Sequence, residues 1–326
     1  MASVHAIRIH QTGGPEAMRW EKVEVGEPGP GQVRIRHTAV GLNFIDTYHR
    51  SGLYPLPLPS GIGLEAAGVV EAVGEGVSEF KPGDRAGYCS GPVGAYAEAR
   101  LFPAERLIKL PGGIDDRTAA AMLLQGLTAQ YLLRRTHRVK AGETILVHAA
   151  AGGVGQILGQ WGKHLGATVI GTVGSEDKAR LAKANGCDHV ILYRKEKVSQ
   201  RVRELTKGAG VPVVYDGVGK DTFMDSLDCL APLGLMVTFG NASGPVPPFE
   251  PVILSQKGSL FLTRPSLIHY TAKRSDLLGA AAELFEVVQK GAVKISVNQT
   301  FPLKEAVAAH QALEARKTTG STLLLP

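Results

Sequence analysis

Gly142–Lys163 reads GETILVHAAAGGVGQILGQWGK, a strand, a tight turn and a helix in that order. Thr144–His148 is a short apolar run with β-branched residues, the composition of a buried strand. Ala150-Ala151-Gly152-Gly153-Val154-Gly155 follows. It has the spacing of the dinucleotide fingerprint G-x-G-x-x-G, with alanine in the first place. A side chain at Gly152 would keep the backbone away from a pyrophosphate, and Gly155 lets the helix pack closely on the strand. The helix then aims its unpaired N–H groups and the positive end of its dipole at the phosphates. A second apolar strand, Thr168–Val173, stands where a βαβ unit places it.

Downstream, strand-like runs at His189–Leu192, Val213–Tyr215, Leu235–Phe239 and Leu260–Thr263 alternate with helical stretches. That alternation predicts an α/β fold with a doubly wound parallel sheet, its six strands in the order 3-2-1-4-5-6. Upstream, His5–Ile9, Val33–Val40, Gly68–Val73 and Arg85–Gly87 are short strand-like runs divided by turn residues. They predict a β-rich, partly antiparallel domain. Ser51–Pro59 is a proline-rich loop. Ala119–Leu133 reads as a helix, Asp276–Lys290 and Leu303–Lys317 as amphipathic helices, and Ser321–Leu325 as a last strand.

A chain of 326 residues, 44% hydrophobic and 20% charged, suggests a globular protein of two domains. No apolar run approaches a membrane span, and Met1–His5 lacks the pattern of a signal peptide. Cys89, Cys187 and Cys229 are too few and too far apart for a disulfide framework. A reducing, cytoplasmic compartment is expected. The net charge of +6 suits a phosphate-bearing cofactor or partner. The basic residues are scattered, however, and no RNP-like motif or continuous basic stripe points to nucleic acid.

The glycine window resembles the quinone oxidoreductase and zeta-crystallin branch of the medium-chain dehydrogenase/reductase superfamily. The matching positions are Gly142, Glu143, Leu146, Ala150, Ala151, Gly152, Gly153, Gly155, Gln160 and Lys163. GLNFIDTYHRSGLY at Gly41–Tyr54, GLEAAGVV at Gly63–Val70 and KPGDR at Lys81–Arg85 are similar to the same branch. So are GLTA at Gly126–Ala129, VYDGVG at Val214–Gly219 and FGNASG at Phe239–Gly244. The resemblance covers nearly the whole chain. It implies a GroES-like catalytic domain made of residues 1–124 and 266–326, with a Rossmann cofactor domain at 125–265. It implies reduction of quinones by NADPH, in one- or two-electron steps. Reduction of an enone or alkenal double bond is the alternative chemistry. Some relatives bind nucleic acid, an alternative of another class.

Zinc members of the superfamily carry Gly-His-Glu where this chain has Gly63-Leu64-Glu65. Leucine cannot bind zinc, and structural zinc there needs four close cysteines, so no metal is expected. Alcohol oxidation then lacks its Lewis acid, whereas a quinone or activated alkene is already electrophilic.

A reader of NAD places an acid at the tip of the second strand, on the ribose 2′-OH. Here the tip is Gly174-Ser175, with Glu176 and Asp177 just beyond. Lys178 can pair with a 2′-phosphate, which favours NADPH. The resemblance adds Tyr193 at the adenosine end and gives the loops Phe239-Gly240-Asn241 and Arg264-Pro265-Ser266 to the cofactor. Arg264 suits a pyrophosphate or a carboxamide. Asn43 is expected to bond the cofactor ribose or carboxamide, and Thr128 to reach the nicotinamide. Asp46 shares the catalytic stretch with Asn43. Tyr48 and Tyr54 are candidate walls of the substrate site, or proton donors. His148 reads as a packed histidine. The absence of any nucleophile constellation suits hydride transfer. Leu260–Thr263, as an apolar edge strand, predicts a homodimer.

Overall fold

A computed structural model describes residues 2–326. The chain opens with β1 (Ala2–Ile9), β2 (Met18–Val25), β3 (Gln32–Leu42), helix α1 (Phe44–Ser51) and β4 (Ser60–Gly61). β5 (Glu65–Val73), β6 (Arg85–Tyr88), β7 (Ala99–Pro103) and β8 (Ile108–Lys109) follow. β1 is the centre of a small sheet in the order β2-β1-β4. β3 is the hub of a larger one, antiparallel to both β5 and β7. Its two-residue period explains this. Val33 and Ile35 are buried in the core with Val70 and Phe102, while Arg34 and Arg36 turn out to share Glu71.

Helix α2 (Asp116–Tyr131) ends in a π-helical turn at Leu132–Thr136. Then come β9 (Thr144–Val147), α3 (Gly153–His164), β10 (Thr168–Val173), α4 (Glu176–Ala184), β11 (His189–Leu192) and α5 (Val198–Leu205). β12 (Val211–Asp216), α6 (Phe223–Cys229), β13 (Leu230–Thr238), α7 (Val252–Gln256) and β14 (Phe261–Thr263) complete the series. The six strands are parallel, in the order β11-β10-β9-β12-β13-β14. This is the expected doubly wound sheet. Its central strands are apolar on both faces because helices cover both, and Ile145, Leu146, Val147, Val213 and Val214 are all fully buried.

The chain ends with α8 (Leu267–Tyr270), α9 (Arg274–Gln289), β15 (Val297–Pro302), α10 (Ala306–Glu314) and β16 (Ser321–Leu325). β16 lies antiparallel to β3, with Leu324 opposite Val40. Two compact units result. One holds the chain up to Leu127 with Tyr270–Gln289 and Ile295–Pro326, the other Thr128–His269 with Lys290–Lys294.

Several elements differ from the sequence reading, and the strands β4, β7, β8 and β15 were not placed by it. β2, MRWEKVEV, went unread because its charged alternate residues leave it half exposed. β13 starts at Leu230 rather than Leu235, with Ala231–Gly234 forming an irregularity where the pairing with β12 shifts. The stretch expected to be catalytic forms α1, a helix the sequence reading did not place.

Candidate active site

In the Rossmann unit, the expected cofactor residues collect along the carboxyl-terminal edge of the parallel sheet. The turn after β9 brings Gly152, Gly153, Val154 and Gly155 to the start of α3, with Gly152 as its N-cap. A Cβ on Gly155 would lie 2.4 Å from the Ala149 carbonyl oxygen and 2.8 Å from Ala150 Cα. Glycine alone lets the helix press so closely on the turn. The first N–H groups of α3 have no partner within the helix, so the turn fits the pyrophosphate of a dinucleotide.

Beyond β10, Ser175 caps α4 by accepting the Lys178 N–H at 3.4 Å. Both acids after it are engaged by cations. Glu176 pairs with Lys195 at 2.7 Å, which holds its carboxyl below the usual range, and Asp177 pairs with Arg180. The Tyr193 hydroxyl stands 2.5 Å from where a Cβ on Gly174 would be, and Arg194 Nε 3.5 Å from the same point. Sequence reasoning did not single out Arg194. Its signal was the run Arg194-Lys195-Lys197, which taken alone reads as a solvated surface.

At the end of β12, buried Asp216 accepts the N–H groups of Val218 (2.7 Å) and Gly219 (3.0 Å) and the hydroxyls of Thr222 and Ser226. Phe239 N–H donates to the Asp216 carbonyl at 2.8 Å. Arg264 Nη1 donates to the Gly240 carbonyl (3.0 Å) and to Thr238 Oγ1 (3.2 Å). The guanidinium thus ties the loop holding Phe239, Gly240 and Asn241 to the loop holding Ser266. His148 is packed. Ser226 gives its hydrogen to Asp216, so its oxygen accepts from His148 Nε2–H, and Nδ1 accepts from Thr172, each at 2.9 Å. Both ring nitrogens are occupied, and burial keeps the imidazole neutral. Thr128 is buried on α2.

In the other unit, Asn43 is the N-cap of α1. Asp46 Oδ2 accepts the Asn43 N–H at 2.9 Å and the Tyr96 hydroxyl at 2.9 Å. Arg50 fixes the direction of a chain that ends there. It donates to His310 Nδ1 (2.8 Å), His310 Nε2–H therefore donates to Tyr96 (3.1 Å), and Tyr96 donates to Asp46. Burial, with Arg50 nearby, pushes His310 down to about 3. Burial pushes Asp46 up to about 7 against these two hydrogen bonds. Tyr48 and Tyr54 meet edge to face, with ring centroids 5.2 Å apart. The Asn43 amide lies 2.6 Å from Glu65 Oε2 and 3.2 Å from the Gln125 amide. The structure therefore brings Asn43, Asp46, Tyr48 and Tyr54 together at α1.

Residues 29–112 match the alcohol dehydrogenase GroES-like domain and residues 153–286 the zinc-binding dehydrogenase domain. The quinone oxidoreductase of Pseudomonas aeruginosa is 56% identical over 98% of this chain and 99% of its own. The chain belongs to the quinone oxidoreductase family of medium-chain dehydrogenases/reductases. A 2-haloacrylate reductase of a Burkholderia species is 52% identical over 99% of both chains. The crystal structure of Escherichia coli quinone oxidoreductase complexed with NADPH matches with a TM-score of 0.97 at 48% identity, over 100% of both chains. One domain family is named for zinc. Among the described residues here, no group of three or more His, Cys, Asp or Glu is placed to hold a metal ion.

Proposed function

We propose that this chain reduces quinones with NADPH and needs no metal ion to do so. NADPH, when bound, supplies the hydride. The chain binds and orients. The glycine turn and the start of α3 receive the pyrophosphate, and the loops joined by Arg264 lie along the same edge of the sheet. Asn43 bonds the ribose or carboxamide, Thr128 approaches the nicotinamide, and Tyr48 and Tyr54 form a wall for a flat substrate. The observation that carries the reading is the tip of β10. Glu176 and Asp177, the acids able to hold a ribose 2′-OH, are drawn off by Lys195 and Arg180, while Lys178 and Arg194 favour a phosphate. A second reading, reduction of an activated carbon–carbon double bond, is favoured by the 2-haloacrylate reductase at 52% identity.

The test is a fluorescence titration with NADPH and NADH, followed by turnover assays with quinones, enones and 2-haloacrylates. Tighter NADPH binding with quinone turnover is expected. Failure to bind either cofactor would overturn both readings, and turnover of alkenes alone would select the second. Homodimer formation through the exposed edge of β14 and a cytoplasmic working place, suited to three buried free cysteines, complete the proposal. No helix among the described residues is long and apolar enough to cross a membrane.

A further inference from the structure

Glu65 begins β5 and is fully buried. Its place is built by a glycine. Gly41 faces it across the β3–β5 pair, and a Cβ there would lie 2.3 Å from Glu65 Oε2 and 2.3 Å from the Ala120 carbonyl. Oε1 accepts the Leu124 N–H at 2.7 Å. Oε2 lies 2.6 Å from the Asn43 amide, which lies 3.2 Å from the Gln125 amide. The Gln125 amide in turn is 2.8 Å from Ser321 Oγ, and Ser321 Oγ is 2.7 Å from the Ala121 carbonyl.

Counting hydrogens decides how the two amides stand. If Glu65 is ionised, Asn43 gives it an N–H and turns its oxygen to Gln125. The Gln125 oxygen then faces Ser321, whose single hydrogen has two acceptors, and one close oxygen–oxygen contact stays bare. If Glu65 carries a proton, it sits on Oε2, because Oε1 is already an acceptor. The amides turn over. Glu65 donates to the Asn43 oxygen, Asn43 to the Gln125 oxygen, Gln125 to Ser321, and Ser321 to Ala121. Every contact along the chain then has one hydrogen and one acceptor. The 2.6 Å separation also suits O–H···O and is short for N–H···O.

We propose that Glu65 is a positioning residue that works as a neutral carboxylic acid, donating its hydrogen to Asn43 and so fixing which end of the Asn43 amide a bound cofactor meets. The positioning role rests on the reading of Asn43 as a cofactor contact. Asn43 retains one N–H and one lone pair for that contact. The titratable groups whose charges act around Glu65 are Asp46 on α1, Cys89 after β6, and Tyr96. Burial, reinforced by the charge of Asp46, pushes the carboxyl up to about 8.

The experiment has two readouts. The first is the infrared difference spectrum of the cofactor-free protein, wild type minus E65Q, at neutral pH. It should contain the carbonyl band of a protonated carboxyl group. The second is the NADPH dissociation constant from about pH 6.5 to about 9.5 for wild type, E65Q, E65A and N43A. Wild-type affinity should fall about tenfold as Glu65 ionises, E65Q should lose that alkaline decline, and E65A should bind about tenfold more weakly throughout. A missing band, or an alkaline decline that persists in E65Q, overturns the proposal. N43A binding NADPH like wild type removes the cofactor reading of Asn43 and with it the positioning role, while the infrared band still reports the proton. Should E65A fail to fold, the isosteric E65Q carries both readouts.

Discussion

Lys178 lies in the first turn of α4, and its backbone N–H is held by Ser175. On the proposed reading its ammonium chooses between the two nicotinamide cofactors, since the acids that follow the strand tip are paired elsewhere. A charge-assisted bond from a half-exposed lysine to a phosphate contributes about 1.5–3 kcal/mol, which is roughly a tenfold to hundredfold change in affinity. Lys178→Ala should weaken NADPH by that factor and NADH by less than about threefold, because NADH has no 2′-phosphate. High salt should narrow the gap by screening the exposed pair. Dissociation constants for both cofactors at low and high salt check this. Equal losses for both would assign Lys178 to the fold or to the shared adenosine. A wild-type preference for NADH would return Glu176 and Asp177 to the ribose.

Helix α1 was missing from the sequence reading, though its residues were marked as the catalytic stretch. Asp46 shows why the element matters. Its folded value is raised from the ordinary 3.8 to about 7 by burial, so between those values the folded chain keeps a proton that the unfolded chain has lost. Stability must then fall as pH rises from about 4 to about 7 and level off above. Glu65, pushed up to about 8, extends the decline in the same direction. Asp46→Asn keeps an acceptor for the Asn43 N–H and removes the titration, so its urea midpoint should decline less over the lower window. An unchanged slope would mean that Asp46 is ionised throughout. Elements were legible where one property ran through consecutive residues, as in the strands of the parallel sheet. They were not legible where packing overrode local pattern. The Ala231–Gly234 irregularity is one case, and half-exposed β2 is another.

Across the whole molecule, the residues expected to meet a cofactor could be placed together because they lie in short windows after successive strands, and a parallel sheet brings strand ends to one edge. The network around Asn43 was not. Glu65, Gln125 and Ser321 come together only when β5, α2 and β16 are packed, and Glu65 had been noted only beside a missing zinc ligand. The proposed homodimer rests on one further feature of this scale. β14 pairs with β13 alone and ends the six-stranded sheet, with Phe261 61% exposed. On the neighbouring strand, Leu233 is 67% exposed in the irregularity of β13, where its N–H donates to the Gly258 carbonyl at 2.8 Å. An open apolar edge invites pairing with another strand, and a two-fold axis lets β14 pair with its own copy and close the contact. A stable dimer needs about 1,200–2,000 Å² of buried surface, more than three residues supply, so the Leu233 irregularity is expected to join the interface. Phe261→Lys should convert a dimer to a monomer in light scattering at micromolar concentration. Since Phe261 supports little of the monomer's own core, the variant should still bind NADPH. Wild-type protein that scatters as a monomer would reject the assembly, and a variant that stays dimeric would move the interface away from β14.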